Sequence, residues 1–375
     1  MSIARASGWA LLVCACAPGE APFVEPEAVA PPRFTFEDVE FPGEEWSLVN
    51  TREAGWDPAD LEAIAALAEA SLSTGLCVVY QGRLLLKRQW KPDDSGLAAA
   101  DREAFRWTFQ GRNDAGGFVQ DVTSIQKSVI ALLMVQARER GDLTYADALL
   151  TDLDPGTLRV LPELAENVTL HQLLTMTANV TSEIHKPGTR WAYDPLAPQL
   201  LLDVLKARTG RDLDDLLAEL TAPLGTVSMA WANYPEYPTL VGLVATDLDL
   251  ARVGLLVQEH GRWGNRQLLP ADAVAELLRP NQAFNPNYGM LWMLNRPGAI
   301  LPGGDRLERR PLPHAPEDVV IAQGRSDCAL MVSPSEQLVV VRLGARVPGR
   351  GGALGAGMDF WDEMWRLLME ARPGE

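Results

Sequence analysis

The sequence predicts an α/β (α+β) protein. Both ends of the chain build one antiparallel sheet flanked by helices, and the middle forms an inserted all-helical subdomain. Three observations carry this reading. Residues 76–80 and 83–90 are apolar, β-prone runs on either side of Gln81-Gly82, a hairpin signal. Residues 129–224 carry apolar positions at helical spacing. The chain then returns to short β-like runs at 288–295, 319–323, 328–332 and 338–343, and closes with an amphipathic helix at 358–371.

Taken in order, the first 16 residues place Arg5 ahead of a short apolar run, 9–13. That is the pattern of a secretory signal, too short to span a membrane. Val13-Cys14-Ala15-Cys16 resembles a bacterial lipobox, which would make Cys16 the lipid-anchored first residue of a mature periplasmic or cell-surface protein. An ordinary cleaved signal and a cytoplasmic N-terminus are the alternatives. Residues 17–45 are rich in Pro, Glu and Ala, a tether composition. Residues 46–375 are expected to form the folded domain, with the helical subdomain at about 135–285.

Asp57-Pro58-Ala59-Asp60 opens a capped amphipathic helix carrying Leu61, Ile64 and Leu67. The hairpin follows. Residues 91–117 are polar and irregular and read as a loop. Residues 143–150 and 161–164 are short segments on either side of Asp154-Pro155-Gly156. Thr169 caps a helix within 168–176, and Pro187-Gly188-Thr189 is a turn. Helices are expected at 199–207, ending near Gly210, at 213–220, at 243–258 and at 270–278. Ser333-Pro334-Ser335-Glu336 turns the chain between the last two strands.

Composition narrows the function classes. A net charge of −17 argues against nucleic acid or an anionic membrane surface as a partner, since both need basic patches. His171, His185, His260 and His314 are scattered, and no Cys/His cluster has zinc spacing. No metal site, cofactor or Ser-His-Asp triad is therefore indicated. Cys77 and Cys328 sit in apolar runs and read as buried free thiols, with a disulfide as the alternative. Oligomeric state is not encoded in any recognisable pattern.

The chemistry centres on Ser124-Ile125-Gln126-Lys127, at the start of a long apolar run and preceded by the helix-start residues Asp121 and Thr123. A helix beginning near Ser124 puts Lys127 one turn on, on the same face. An ammonium in a first helical turn opposes the macrodipole, and burial disfavours its charge further. A lysine in that setting can take the proton of a serine hydroxyl. The spacing also arises by chance, and then Lys127 is a surface residue on an early turn.

Further along, residues 121–128 (DVTSIQKS), 173–180 (LLTMTANV), 187–193 (PGTRWAY), Pro223-Leu224-Gly225, 243–254 and 322–343 occur in an order that resembles the penicillin-recognising serine hydrolases. The nearest branch holds the class C beta-lactamases, DD-peptidases and related esterases and amide hydrolases. The resemblance covers about 57–368 and implies the beta-lactamase/transpeptidase-like fold. It makes Ser124 the nucleophile, Lys127 its proton-handling partner and Tyr193 the second-motif tyrosine that assists the base and protonates the leaving group. It places the oxyanion hole at the backbone N–H groups of Ser124 and Arg325. Gly324 gives the strand edge its close approach to substrate. A packed aromatic at 193 and a strand-end glycine at 324 are the alternatives.

Three positions depart from the family pattern. Ala178-Asn179 stands where Ser-Gly is usual. Tyr193-Asp194-Pro195 replaces Tyr-x-Asn, which leaves Asp194 or another group to supply the asparagine's contacts to substrate. Ala322-Gln323-Gly324 replaces a Lys/His-Thr/Ser-Gly motif. The resemblance implies acyl-enzyme chemistry on a small-molecule ester or amide. The departures leave a binding protein for cell-wall fragments as the alternative.

Overall fold

A computed structural model describes residues 39–153, 166–182, 184–234, 237–347 and 358–372. Cys16, the lipobox, most of the 17–45 tether and the segment 161–164 lie outside the described residues.

The main sheet is antiparallel and six-stranded. Its strands are β1 (Ser73–Tyr80), β2 (Arg83–Gln89), β9 (Met293–Leu294), β12 (Val320–Gln323), β13 (Ala329–Ser333) and β14 (Leu338–Gly344), in the order β2-β1-β14-β13-β12-β9. Both ends of the chain meet where Val78 pairs with Val340. The hairpin turn takes positive φ at Gln81 and Gly82, the handedness that matches strand twist. The run expected as a strand at 288–295 contributes only Met293–Leu294, with Tyr288 making an isolated bridge to Met293.

Strands β13 and β14 are buried along their whole length. Successive residues of β13 explain why. Met331 meets Trp365 of the C-terminal helix Met358–Ala371. A Cβ on Gly254, in the helix Asp247–Gln258, would collide with its neighbour Leu330. Alternate side chains of a strand point to opposite faces, so both faces are covered by helices and both must be apolar. The helix Pro58–Ala70, capped by Asp57, packs beside the C-terminal helix.

The remaining region is not all-helical as expected. It carries β5 (Ala230–Tyr234) and β6 (Tyr237–Ala245), which join β3 (Phe109–Arg112) and β4 (Phe118–Asp121) in a second antiparallel sheet of order β3-β4-β6-β5; β7 (Arg262–Trp263) with β8 (Arg266–Gln267), and β10 (Ala299–Ile300) with β11 (Arg306–Leu307), form short two-stranded ribbons. The predicted helix at 243–258 starts at Asp247, because Thr246 and Asp249 form a reciprocal capping box; 243–245 is strand. The predicted loop 91–117 contains the helix Ala99–Thr108 and β3. Helices at Leu170–Leu174, capped by Thr169, at Ala197–Thr209 and at Leu213–Thr221 complete the layer around the long helix Gln126–Glu139. That helix buries every residue from Gln126 to Val135. Its first turn is therefore buried, beside the end of the main sheet at β12.

Candidate active site

Strand β4 delivers the chain to Ser124. Asp121 ends the strand, the Val122 N–H donates to the Leu243 carbonyl of β6, and a single 3-10 turn, Thr123–Ile125, leads into the long helix. Thr123 has φ +51°, an outlier for a β-branched residue, which persists only where the surroundings over-determine it. Asp121 does so from one side: its Oδ1 accepts the Thr123 N–H at 2.6 Å, and its Oδ2 accepts the Tyr234 hydroxyl. Burial pushes the Asp121 carboxyl up to about 6, against the opposing pull of the Thr123 N–H and the Arg325 charge. Gly242 is required there, since a Cβ would lie 2.6 Å from both Asp121 Oδ2 and the Tyr234 hydroxyl.

Lys127 is only 6% exposed, so it is not a surface residue on an early turn. Its Nζ lies 2.8 Å from Ser124 Oγ and 5.0 Å from the centroid of the Tyr193 ring. Tyr193 arrives from a loop that starts at the helix Leu170–Leu174. The Ala192 N–H donates to Met176, and Asn179 Nδ2 donates to the carbonyls of Thr177, Lys186 and Arg190. Asn179 takes φ +51°, so it meets the conformational demand that glycine usually meets and adds a side chain that ties the loop together.

Ser124, Lys127, Tyr193 and Gln323 line one narrow cleft. Its apolar wall includes Leu291, Met293, Pro302 and Ile321. Gln323 is the residue the sequence reading passed over: it is 8% exposed, and its Oε1 has no hydrogen-bond partner among the described residues.

Gly324 lies at a close approach of β12 to the serine turn: a Cβ would lie 2.6 Å from both Thr123 Oγ1 and the Val122 carbonyl oxygen. The expectation for Arg325 needs correction. Its N–H donates to Thr123 Oγ1 at 2.6 Å, so it is engaged by the threonine rather than presented to the cleft. The segment after it is fixed from below by Arg342, which is fully buried and donates to the Ser326, Ser71 and Ala345 carbonyls and to Ser73 Oγ.

Asp194 also needs correction. It is buried, but its carboxylate accepts from the Leu196 N–H at 2.8 Å and from Thr181 Oγ1 at 3.1 Å, at the entrance to the helix Ala197–Thr209. Burial pushes its carboxyl up from the ordinary range. It does not line the cleft, and Pro195 is exposed. The asparagine's place beside the nucleophile is not filled from this segment. Cys77 and Cys328 are buried free thiols.

A candidate beta-lactamase from Bacteroides dorei superposes with a TM-score of 0.60 at 18% identity, over 82% of this chain and 98% of its own. A candidate 6-aminohexanoate-dimer hydrolase from Bacillus anthracis gives 0.60 at 14% identity, over 94% and 91%. EstCE1, a hydrolase with promiscuous acyltransferase activity, gives 0.56 at 16% identity, over 84% and 98%. At these identities the likeness shows the beta-lactamase/transpeptidase-like fold. The family model described as Beta-lactamase matches residues 62–356, a span that holds the serine turn, the tyrosine loop and strands β12 to β14, and this chain therefore belongs to the beta-lactamase family.

Proposed function

We propose that the protein is a serine hydrolase that forms an acyl-enzyme through Ser124 on an ester or uncharged amide. The observation that carries this reading is the 2.8 Å separation of Lys127 Nζ and Ser124 Oγ in a cleft shared with Tyr193. With Lys127 as the neutral amine, the Ser124 hydroxyl passes its proton to Nζ while Oγ attacks the carbonyl carbon. The tetrahedral intermediate collapses as the leaving oxygen or nitrogen takes a proton from Tyr193 or Lys127. Water, deprotonated by the same pair, then attacks the ester carbonyl and releases Ser124. Among the described residues Lys127 is the one formal cation in the lining, so these residues offer no second charge to hold a substrate carboxylate. On this reading the mature protein is exported and held at the membrane through Cys16. Intact mass of the chain from its native host tests that part, and an unmodified N-terminus at Met1 would end it.

The test of the reaction is covalent labelling. A fluorophosphonate probe is expected to add one adduct to wild type and none to Ser124→Ala, read by intact mass. A short-chain nitrophenyl ester is expected to exceed both a chromogenic cephalosporin and a D-Ala-D-Ala peptide in kcat/KM, because both of the latter carry a free carboxylate. Faster turnover of either would overturn the substrate assignment. Two observations favour a second reading, a ligand-binding member with weak or no turnover: Pro195 leaves the second motif without its amide, and the Arg325 N–H is already engaged by Thr123. Absence of labelling in folded wild type would select it.

A further inference from the structure

Thr123, one residue before Ser124, ties the serine turn to the segment just past strand β12. The Arg325 N–H donates to its Oγ1 at 2.6 Å, and its own N–H donates to Asp121 Oδ1 at 2.6 Å. Both neighbours are themselves held. The Gly324 N–H donates to the Cys328 carbonyl at 2.8 Å and Arg342 Nη1 donates to the Ser326 carbonyl at 2.7 Å, on either side of Arg325. Asp121 accepts the Tyr234 hydroxyl. The residue type at 123 calls for an explanation. A φ of +51° is costly for a β-branched side chain and cheap for glycine or asparagine. What threonine adds over glycine is a hydroxyl acceptor on a stiff χ1. The facing residue leaves room for that oxygen: a Cβ on Gly324 would lie 2.6 Å from it. Backbone strain of this kind clusters at functional sites and persists only where the surroundings hold it.

We propose that Thr123 is a positioning residue: its hydroxyl, by accepting the Arg325 N–H, fixes the turn that carries Ser124, so that Ser124 Oγ stays within hydrogen-bond reach of Lys127 Nζ. This rests on the reading of Ser124 as nucleophile. The two members of the pair are placed by different means. Lys127 is set by the long helix, which is buried from Gln126 to Val135. Ser124 lies ahead of that helix, half-buried, on a single 3-10 turn. The helix alone does not fix it, and the direction in which its side chain leaves the backbone follows from the dihedrals at 123. The 2.8 Å separation of Nζ and Oγ therefore depends on the brace at Thr123. Thr123 is not part of the cleft lining, so it acts through Ser124 rather than on the substrate. A reacting atom misplaced by about 1 Å loses on the order of 10²-fold in rate.

The experiment compares wild type, Thr123→Val and Thr123→Ser. Valine keeps the β-branched shape and removes the acceptor; serine restores the acceptor without the methyl group. The second-order rate of fluorophosphonate labelling is measured well below the melting temperature of each protein, beside a thermal melt. Thr123→Val is expected to label roughly 10- to 100-fold more slowly than wild type, and Thr123→Ser to stay within about threefold of it. A merely structural threonine would lower the melting temperature of the valine variant and leave the labelling rate of its folded form unchanged, and that result overturns the proposal. Slow labelling by both variants overturns it too, since the hydroxyl would then not be the cause. Faster labelling by Thr123→Val does the same, because the hydroxyl would be withholding the Arg325 N–H from the reaction. If the valine variant does not fold, Thr123→Gly takes its place: glycine meets the positive φ without strain and lacks the hydroxyl. It is expected to show the same loss, and labelling at the wild-type rate overturns the proposal. Failure of the underlying reading looks different: no fluorophosphonate adduct on wild type itself.

Discussion

Lys127→Ala is expected to lower the rate of Ser124 acylation by about 10²–10⁴-fold while leaving the protein folded. Nζ is the basic atom within hydrogen-bond reach of Oγ. Among the described residues no imidazole lines the cleft to replace it. His314 pairs with Asp362 and His185 faces Arg190, while burial pushes His171 and His260 down. Tyr193 and Tyr288 are the other titratable groups in the lining, and burial, with the neighbouring Tyr193, holds the Tyr288 phenol well above its ordinary range. The fold should tolerate the change. Alanine has the highest helix propensity, and the hydrogen bond lost is one whose partner, Ser124, is only half-buried and opens onto the cleft. The measurement is the second-order rate of fluorophosphonate labelling beside a thermal melt. A folded variant that labels within tenfold of wild type would mean that another group takes the serine proton.

The Ser124–Lys127 pair was legible because three residues on a helix is a fixed geometric relation, independent of the rest of the fold. The strands of the main sheet were legible for a related reason: burial on both faces makes Leu338–Gly344 and Ala329–Ser333 nearly continuous apolar runs. The second sheet was not. Its strands β3 and β4 have four residues each, and β4 carries Gln120 and Asp121, so neither alternation nor an apolar run marks them. The helix Ala99–Thr108 has no side-chain cap and buries only Phe105 and Thr108, too little for a stripe. At 243–245 a short apolar run adjoined a helix, and periodicity cannot divide the two. The capping pair Thr246 and Asp249 could have, since its spacing is a helix-start signal. The Asp194 assignment failed because an Asp just ahead of Leu196 and a helix start is itself a local acceptor, and the helix entrance claimed it. What Thr123 does was invisible because it depends on a contact between the serine turn and Arg325, just past the end of β12 and some 200 residues away in sequence.

Asp121→Asn is expected to raise stability by about 3 kcal/mol above pH 6 and to change it little at pH 4. The carboxyl is 4% exposed and titrates at about 6 in the fold, against an ordinary 3.8. Below about pH 4 the proton is bound in both folded and unfolded chains, and the residue is neutral in each. Between pH 4 and 6 the unfolded chain has released its proton while the folded one still holds it, so stability falls as pH rises through that window. Above about pH 6 the charge is carried inside the fold and the whole penalty is present. Asparagine removes the charge and keeps the oxygen that accepts the Thr123 N–H, and the Tyr234 hydroxyl can turn to accept from the new NH2. The gain therefore appears only where wild type is ionised. Urea unfolding of both proteins at pH 4.5, 6 and 8 checks it. A variant less stable than wild type at pH 8 would show that the ionised carboxylate is held by its two hydrogen bonds at a net profit. Asp121→Ala separates charge from geometry. It removes the acceptor of both bonds, so it should lose about 1–3 kcal/mol relative to Asp121→Asn at every pH, and with it the support for the left-handed Thr123 that precedes the nucleophile.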